Sequence, residues 1–116
     1  MLPKHYRLKK RSAFKATYKV KNSSHSGGVT LFAGILKKED YPTKVGFVVS
    51  KKVHKRAVKR NRLKRLMRES YRLLLKNGNL GNSQKYMSLI FVGSERALGK
   101  SFNENDASIS KLLGRL

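Results

Sequence analysis

The sequence predicts an α+β fold, a single-domain sandwich in which a small mixed sheet packs against helices. Two short runs rich in β-branched residues, 44–50 and 87–92, flank a long segment with helical periodicity. In a strand–helix–strand unit of this kind the helix is a crossover that packs on the sheet. At 116 residues, of which 39% are hydrophobic, the chain has enough apolar material for one modest core. We therefore expect residues 1–116 to form one domain.

The amino-terminal part of the chain predicts an arm, a short helix and a loop. Residues 1–10 are basic and are expected to form a poorly ordered, flexible arm. A helix is predicted from Ser12, as its N-cap, to about Val20, which places Phe14 and Tyr18 one turn apart. The Asn, Ser, His and Gly composition of residues 22–28 predicts a loop.

Residues 29–36 predict a strand that is apolar on both faces. Because both alternating sets of side chains are largely apolar, one face is expected to be covered and the other to line a groove. A turn at residues 37–42 and a second strand at 44–50 follow. The two alternating sets of the first strand are Val29, Leu31, Ala33 and Ile35, and Thr30, Phe32, Gly34 and Leu36.

A long basic helix is predicted from residue 54 or 56 to residue 76, where Asn77 and Gly78 form a C-terminal stop. Apolar side chains recur along it at helical spacing and predict a stripe that faces the core. That stripe consists of Leu63, Leu66, Met67, Ser70, Tyr71 and Leu74, and the far side carries Asn61, Lys64, Arg65, Arg68 and Arg72.

The start of this helix is expected to protrude from the core. One turn before Leu63, the apolar stripe reaches Lys59 and Arg60 instead of further apolar residues. The first turns therefore carry charge on most sides. Beyond the helix, a third strand is predicted at 87–92 and a last helix after the capping-box pair Ser101 and Glu104.

The charge of the chain predicts a polyanionic partner. The formal net charge is +22, and residues 51–76 contain twelve Lys or Arg residues against one acid, Glu69. Like charges three and four residues apart on a helix repel one another, so such a helix is most stable against a polyanion. We therefore expect nucleic acid as the partner rather than a solvent-exposed charged face alone.

Several other classes of protein are excluded. There is no apolar run of about 18 residues that would span a membrane. The chain has no cysteine, which excludes disulfides and thiolate metal sites, and a cytoplasmic protein is expected. The three histidines lie in separate segments, the six acids form no paired-carboxylate site, and no glycine-rich phosphate loop is present. The sequence thus offers no catalytic residues and no certain metal ligands.

The aromatic residues allow two interpretations. Phe14, Tyr18, Phe32 and Phe47 can each belong to the core, or they can form the walls of a cationic groove. A groove of that kind suits single-stranded RNA, because unpaired bases stack on aromatic rings.

Residues 44–71 resemble the bacterial ribonuclease P protein component. The match consists of a strand followed by Ser50, Lys51 and Lys52, and then of a helix that contains the run Arg60-Asn61-Arg62 and, two residues on, Lys64-Arg65. The basic segment 7–10, followed by Phe14 and Tyr18, fits the same family. The chain departs from the family pattern at two places. The segment Gly93-Ser94-Glu95-Arg96 lacks the basic residue that the family has after the last strand, and His54-Lys55 stands where many members have a glycine.

The resemblance implies an accessory subunit of a ribonucleoprotein endoribonuclease. In that family the RNA subunit removes the 5′ leader of precursor tRNA and holds most of the Mg²⁺ that the reaction needs. The protein component requires neither a further protein partner nor a membrane. A left-handed strand–helix–strand crossover is also implied, against the usual right-handed rule. The implied contacts to the RNA subunit are Arg56, Lys59, Arg60, Asn61, Arg62, Lys64, Arg65 and Arg68. The implied cleft for the single-stranded leader comprises Phe14, Tyr18 and Phe32, with Lys51 and Lys52 at its rim.

Two alternatives remain at the level of sequence. A basic ribosomal protein, or another structural RNA-binding protein, would have the same charge. A protein that binds duplex DNA through a helix in the major groove is a third class, but the long helix has no visible helix-turn-helix partner or dimerisation seam.

Overall fold

The computed structural model describes residues 2–116. Four helices and four strands form one α+β layer structure with a radius of gyration of 13.2 Å. Short 3-10 helices at Lys4–Tyr6 and Gly81–Lys85 complete the connections. In chain order the elements are α1 (Arg11–Lys19), β1 (Asn22–Ser26), β2 (Val29–Ala33), β3 (Lys44–Val48), α2 (Ala57–Lys76), β4 (Ser88–Gly93), α3 (Glu95–Leu98) and α4 (Phe102–Gly114).

The four strands form one mixed sheet in the order β1-β2-β4-β3. The β1–β2 and β2–β4 pairs are antiparallel, whereas β3 and β4 are parallel neighbours. Because α2 connects these two parallel strands, the predicted strand–helix–strand crossover is confirmed. The left hand of the crossover stays a prediction from the family resemblance.

The core lies between the sheet and the pair α2 and α4. From α2, Leu63, Met67, Ser70 and Tyr71 are buried, which confirms most of the predicted stripe, while Leu66 and Leu74 are half-buried. Alternation along the strands sends Leu31, Val45 and Phe91 to this face. Phe47 stacks on Phe91 with ring centroids 5.7 Å apart and therefore belongs to the core.

The expectation of a loop at residues 22–28 is wrong, because residues 22–26 form β1. All five of its residues pair with β2, from Asn22 opposite Ala33 to Ser26 opposite Val29. Gly27 and Gly28 make the connection with φ values of 58° and 87°, which suits a two-residue hairpin turn. A polar strand forms here because its neighbour supplies the hydrogen-bond partners and the glycine pair supplies the turn.

The expectation of a flexible amino-terminal arm is also wrong for the described residues. Leu2 and Leu8 are buried, with 1% and 8% of their surfaces exposed. The Leu8 amide donates a hydrogen bond to the Val45 carbonyl at 2.9 Å, and Arg7 forms an isolated parallel bridge with Val45. The arm therefore covers the outer edge of β3, which would otherwise present unpaired backbone groups.

The helix ends follow the predicted caps only in part. At α4, Ser101 accepts from the Glu104 amide and the Glu104 carboxylate accepts from the Ser101 amide, so the capping box is confirmed. At α1 the predicted N-cap is wrong, since Ser12 lies inside the helix and Lys10 holds the cap position without a side-chain bond. The four-residue helix α3 was not predicted. The amide of Ser94, its N-cap residue, donates a hydrogen bond to the Gly28 carbonyl at 2.9 Å.

Candidate nucleic-acid interface

Helix α1 crosses the face of the sheet that points away from α2 and α4, here called the outer face. Its Thr17 hydroxyl lies 2.5 Å from the Ser88 hydroxyl of β4 and donates to the Ala13 carbonyl. The ring of Phe14 lies directly on Gly46 of β3, where an added Cβ would come within 2.6 Å of two ring carbons. Gly46 is therefore what allows the half-buried Phe14 ring to approach the strand.

The three predicted cleft aromatics come together on this outer face. Tyr18 and Phe32 contact edge to face, with ring centroids 4.8 Å apart and an interplanar angle of 80°. Tyr18 keeps 37% of its surface exposed, and partial burial raises the pKa of its hydroxyl. Phe14 and Phe32 are half-buried. None of the three joins the buried core cluster, so these rings are available to a ligand.

The outer face continues beyond the rings as a half-exposed sheet surface. Thr30 pairs with Val92, and Val92 pairs with Val48, so these three side chains form a row across β2, β4 and β3. All three are half-buried, because α1 covers the other end of the strands. The groove expected from the alternation of residues 29–36 stays a prediction, and the contribution of Val48 and Val92 to this surface depends on strand order and was missed.

Lys51 and Lys52 stand at the end of β3 that borders this row. They lie in the turn after the strand, three and four residues beyond Val48, and both are exposed. The Val53 amide bonds to the Ser50 carbonyl at 3.1 Å and closes the turn. This placement fits two cations at the rim of the aromatic surface.

The start of α2 carries an unusual charge for a helix N-terminus. The first turn contains no acid, and its N-cap residue is Arg56 without a side-chain cap. Cations near a helix N-terminus oppose the helix dipole, typically by about 0.3–1 kcal/mol each. Val58 beside them is 77% exposed, so this end of the helix projects from the core as predicted.

Most cations of α2 have no acidic partner. Within residues 2–116 the one ion pair is between Arg72 and Glu69, and the hydrogen bond from Arg72 lowers the pKa of Glu69. The eight residues predicted to contact an RNA subunit are exposed or half-exposed. Arg56, Lys59, Asn61, Arg62 and Arg65 are exposed, and Arg60, Lys64 and Arg68 are intermediate.

Two of these arginines also bond to the protein itself. Arg60 Nη1 donates to the carbonyl oxygens of His54 and Lys55, at 2.7 and 3.0 Å. Arg62 Nη1 makes a longer bond of 3.4 Å to the Leu98 carbonyl at the end of α3. Helical periodicity gave no sign of these contacts, because all three acceptors are backbone carbonyls outside α2.

A concave surface lies on the opposite side of α1. It has a volume of about 530 Å³, and its walls include Ala13 and Ala16 of α1 with Ile35, Tyr41 and Met87. The last three of these residues are 45–58% exposed. No predicted site residue lies there.

The described residues offer neither a protein metal site nor a membrane span. Across residues 2–116, no three His, Asp or Glu side chains come close enough together to hold a metal ion. None of the helices in that range is both long and apolar enough to cross a bilayer.

Comparison with known proteins identifies the family. The model of the ribonuclease P protein family matches residues 2–116. The chain is 37% identical over 118 residues to the ribonuclease P protein component of a Synechococcus species, covering 97% of this chain and 83% of that one. It is 35% identical over 108 residues to the component of Clostridium kluyveri, covering 93% and 91%.

The solved structure of the Staphylococcus aureus RNase P protein superposes on this chain with a TM-score of 0.78, at 25% identity. The superposition covers 97% of this chain and 95% of that one. The shared fold thus spans α1, the sheet and the long helix α2. With a family model that matches nearly every residue, the chain belongs to the ribonuclease P protein family.

Proposed function

We propose that this chain is the protein subunit of a bacterial ribonuclease P, the tRNA-processing ribonucleoprotein, and acts in the cytoplasm. Its basic helix docks on the catalytic RNA, and its outer face holds the single-stranded 5′ leader of precursor tRNA. The observation that carries the proposal is the combination of family membership with two separate surfaces. One is cationic and projects, and the other carries partly exposed aromatic rings.

The docking surface is suited to phosphate. Arg56 and Lys59 are exposed at the N-terminus of α2, whose unpaired amides already favour anions, and Arg65 is exposed about two turns further along the helix. Each contact that neutralises a phosphate releases counterions, so binding should weaken steeply with salt. Such contacts fix position and orientation without reading sequence.

The outer face is suited to unpaired bases. Tyr18 and Phe32 are both partly exposed at one site, where they contact each other edge to face, and base stacking on such rings contributes about 1–3 kcal/mol per base. Lys51 and Lys52 at the rim would neutralise leader phosphates. Mature tRNA lacks the leader, so this surface would favour precursor over product.

The chemistry is assigned to the RNA. The described residues fit no Mg²⁺ cage, and Mg²⁺ is commonly held by phosphate oxygens together with waters. We propose that RNA holds the ions that drive hydrolysis. The protein's own residues bind the leader, orient it and lower the repulsion between two polyanions.

Reconstitution tests the proposal. The purified chain alone should leave precursor tRNA intact. Added to a bacterial ribonuclease P RNA at moderate Mg²⁺ concentration, it should accelerate release of the leader relative to the RNA alone. Cleavage by the protein alone, or no acceleration in the mixture, would contradict the assignment.

A matched pair of variants separates docking from total charge. A triple Ala variant at Arg56, Lys59 and Arg65 should lose the acceleration at concentrations where the wild type is fully active. The control replaces three exposed cations elsewhere, Lys38, Lys85 and Lys111, with Ala and removes the same charge. Equal losses in both variants would mean that net charge, and not the α2 surface, supports assembly.

A further inference from the structure

We propose that Arg60 is a positioning residue: its guanidinium holds the loop of residues 50–56 against α2 and thereby places Lys51 and Lys52 beside the aromatic outer face. The proposal rests on the proposed function for its consequence in RNA binding. Its structural part stands independently, on contacts within the free protein.

Two backbone carbonyls of the loop lie before the hydrogen-bond ladder of α2. The first hydrogen bond of that ladder runs from the Arg60 amide to the Arg56 carbonyl at 3.3 Å, so the carbonyls of residues 54 and 55 precede it. Both of them accept from Arg60 Nη1, at 2.7 and 3.0 Å. The bond to the His54 carbonyl is partly buried, where an acceptor left without a partner is costly, whereas the bond to the Lys55 carbonyl is exposed. Arg60 therefore supplies the hydrogen bonds that the helix does not give to these two carbonyls.

Local hydrogen bonds give the loop its shape. The Arg56 amide donates to His54 Nδ1 at 3.0 Å, and the Val53 amide donates to the Ser50 carbonyl. These local bonds fold the loop on itself but do not attach it to the body of α2. Arg60 makes that attachment, from one turn into the helix. Charge-assisted bonds of this kind are stronger than neutral ones.

The anchored loop links the docking helix to the rim of the leader surface. Lys51 and Lys52 precede the anchored carbonyls by two to four residues and lie beyond β3 at the end where Val48 and Val92 are half-exposed. One side chain of the docking helix thus holds this rim. Arg62 makes a parallel but longer contact, at 3.4 Å, to the Leu98 carbonyl of the segment after β4. Through these two arginines α2 is joined to the segments at the ends of both parallel strands.

The test compares Arg60→Met with Arg65→Met in the full-length protein. Methionine keeps the length of the stem and favours helix, while each variant loses one charge. The Arg65 side chain is exposed and, within residues 2–116, makes no hydrogen bond to the protein. Amide hydrogen exchange of residues 50–56 is measured in the free protein, without RNA.

In Arg60→Met the two hydrogen-bonded loop amides, those of Val53 and Arg56, should exchange about tenfold faster than in the wild type, the change expected when a bond from a charged donor is lost. Arg65→Met should leave them unchanged. With RNA present, Arg60→Met should reduce the preference for precursor over mature tRNA, whereas Arg65→Met should lower the salt dependence of binding by about one phosphate. Unchanged loop exchange in Arg60→Met would overturn the proposal, whatever happens to RNA binding.

A second measurement on the wild type keeps the proposal testable if Arg60→Met does not fold. In ¹⁵N-arginine spectra, the Arg60 guanidinium should give resolved, slowly exchanging N–H signals, and Arg65 should not. A freely averaging Arg60 side chain would also overturn it. If loop exchange responds as expected but reconstitution with ribonuclease P RNA fails, the positioning role stands and the proposed function falls.

Discussion

The two faces of the sheet carry similar aromatic residues in opposite circumstances. On the inner face, Phe91 and Tyr71 are fully buried, with ring centroids 5.9 Å apart. On the outer face, Tyr18 and Phe32 are in contact at 4.8 Å but remain partly open to solvent. The difference arises because two helices cover the inner face, whereas the single helix α1 covers only one end of the outer face. Inner rings are therefore expected to determine stability and outer rings to determine binding.

The largest effect is expected from an inner ring. Phe91→Ala should lower the free energy of unfolding by about 3–5 kcal/mol, because the removed ring leaves a cavity between the sheet and α2. Denaturant unfolding followed by circular dichroism measures this. Phe32→Ala is the matched control and should lose much less, since its ring is already half-exposed. Similar losses of stability in the two variants would contradict the expectation that inner rings contribute more to stability than outer rings.

The next effect is a pH dependence of stability that is largest at Tyr71 on the inner face, because Tyr18 on the outer face is only partly buried. Burial raises the pKa of Tyr71 to about 12, although the hydrogen bond from Gln84 to its hydroxyl opposes this shift. The folded pKa exceeds the unfolded value of about 10, so the contribution of Tyr71 is complete below pH 10. It is lost as the pH rises through about 12, by roughly 2–3 kcal/mol.

Unfolding measured between pH 9 and 12 in wild type and Tyr71→Phe checks this sign. The wild type should lose stability over this range more steeply than Tyr71→Phe, which has no phenol to ionise at that position. Parallel curves for the two proteins would mean that Tyr71 ionises as easily in the folded state as in the unfolded one.

The smallest free-energy change is expected from the outer face, and it concerns binding. Tyr18→Ala should weaken the affinity of the assembled enzyme for precursor tRNA by about 1–3 kcal/mol, because one base loses its stacking partner. Affinity for mature tRNA and the unfolding midpoint should change little. Tyr41→Ala is the control, since Tyr41 is 58% exposed but lies outside the outer face. Equal losses for precursor and mature tRNA would assign Tyr18 a structural role.

The sequence predicted the inner face better than the outer one, for a physical reason. The burial of Leu63, Met67 and Tyr71 follows from helical spacing, and β3 and β4 follow from runs of β-branched residues, because each pattern is local. Strand β1 has no such pattern: residues 22–26 are polar, and they form a strand because β2 is their neighbour. Its detectable signal was the Gly27-Gly28 turn.

The outer site was predicted only in its local part. The spacing of Phe14 and Tyr18 on one helix placed them together, but their contacts with Gly46 and Phe32 depend on how α1 crosses the sheet. Leu2 is buried through long-range contacts, and Arg60 binds backbone carbonyls of the loop before α2. Hydrophobic periodicity contains no information about contacts of that kind.

The most direct test of the contrast between the faces is to map where the leader lies. Precursor tRNA with 4-thiouridine in its leader is irradiated in the assembled complex, and cross-linked peptides are identified by mass spectrometry. The leader should cross-link to peptides of α1 and β2 that contain Phe14, Tyr18 and Phe32. Cross-links confined to the groove on the opposite side of α1, at Tyr41 or Met87, would contradict the assignment of the outer face as the leader surface.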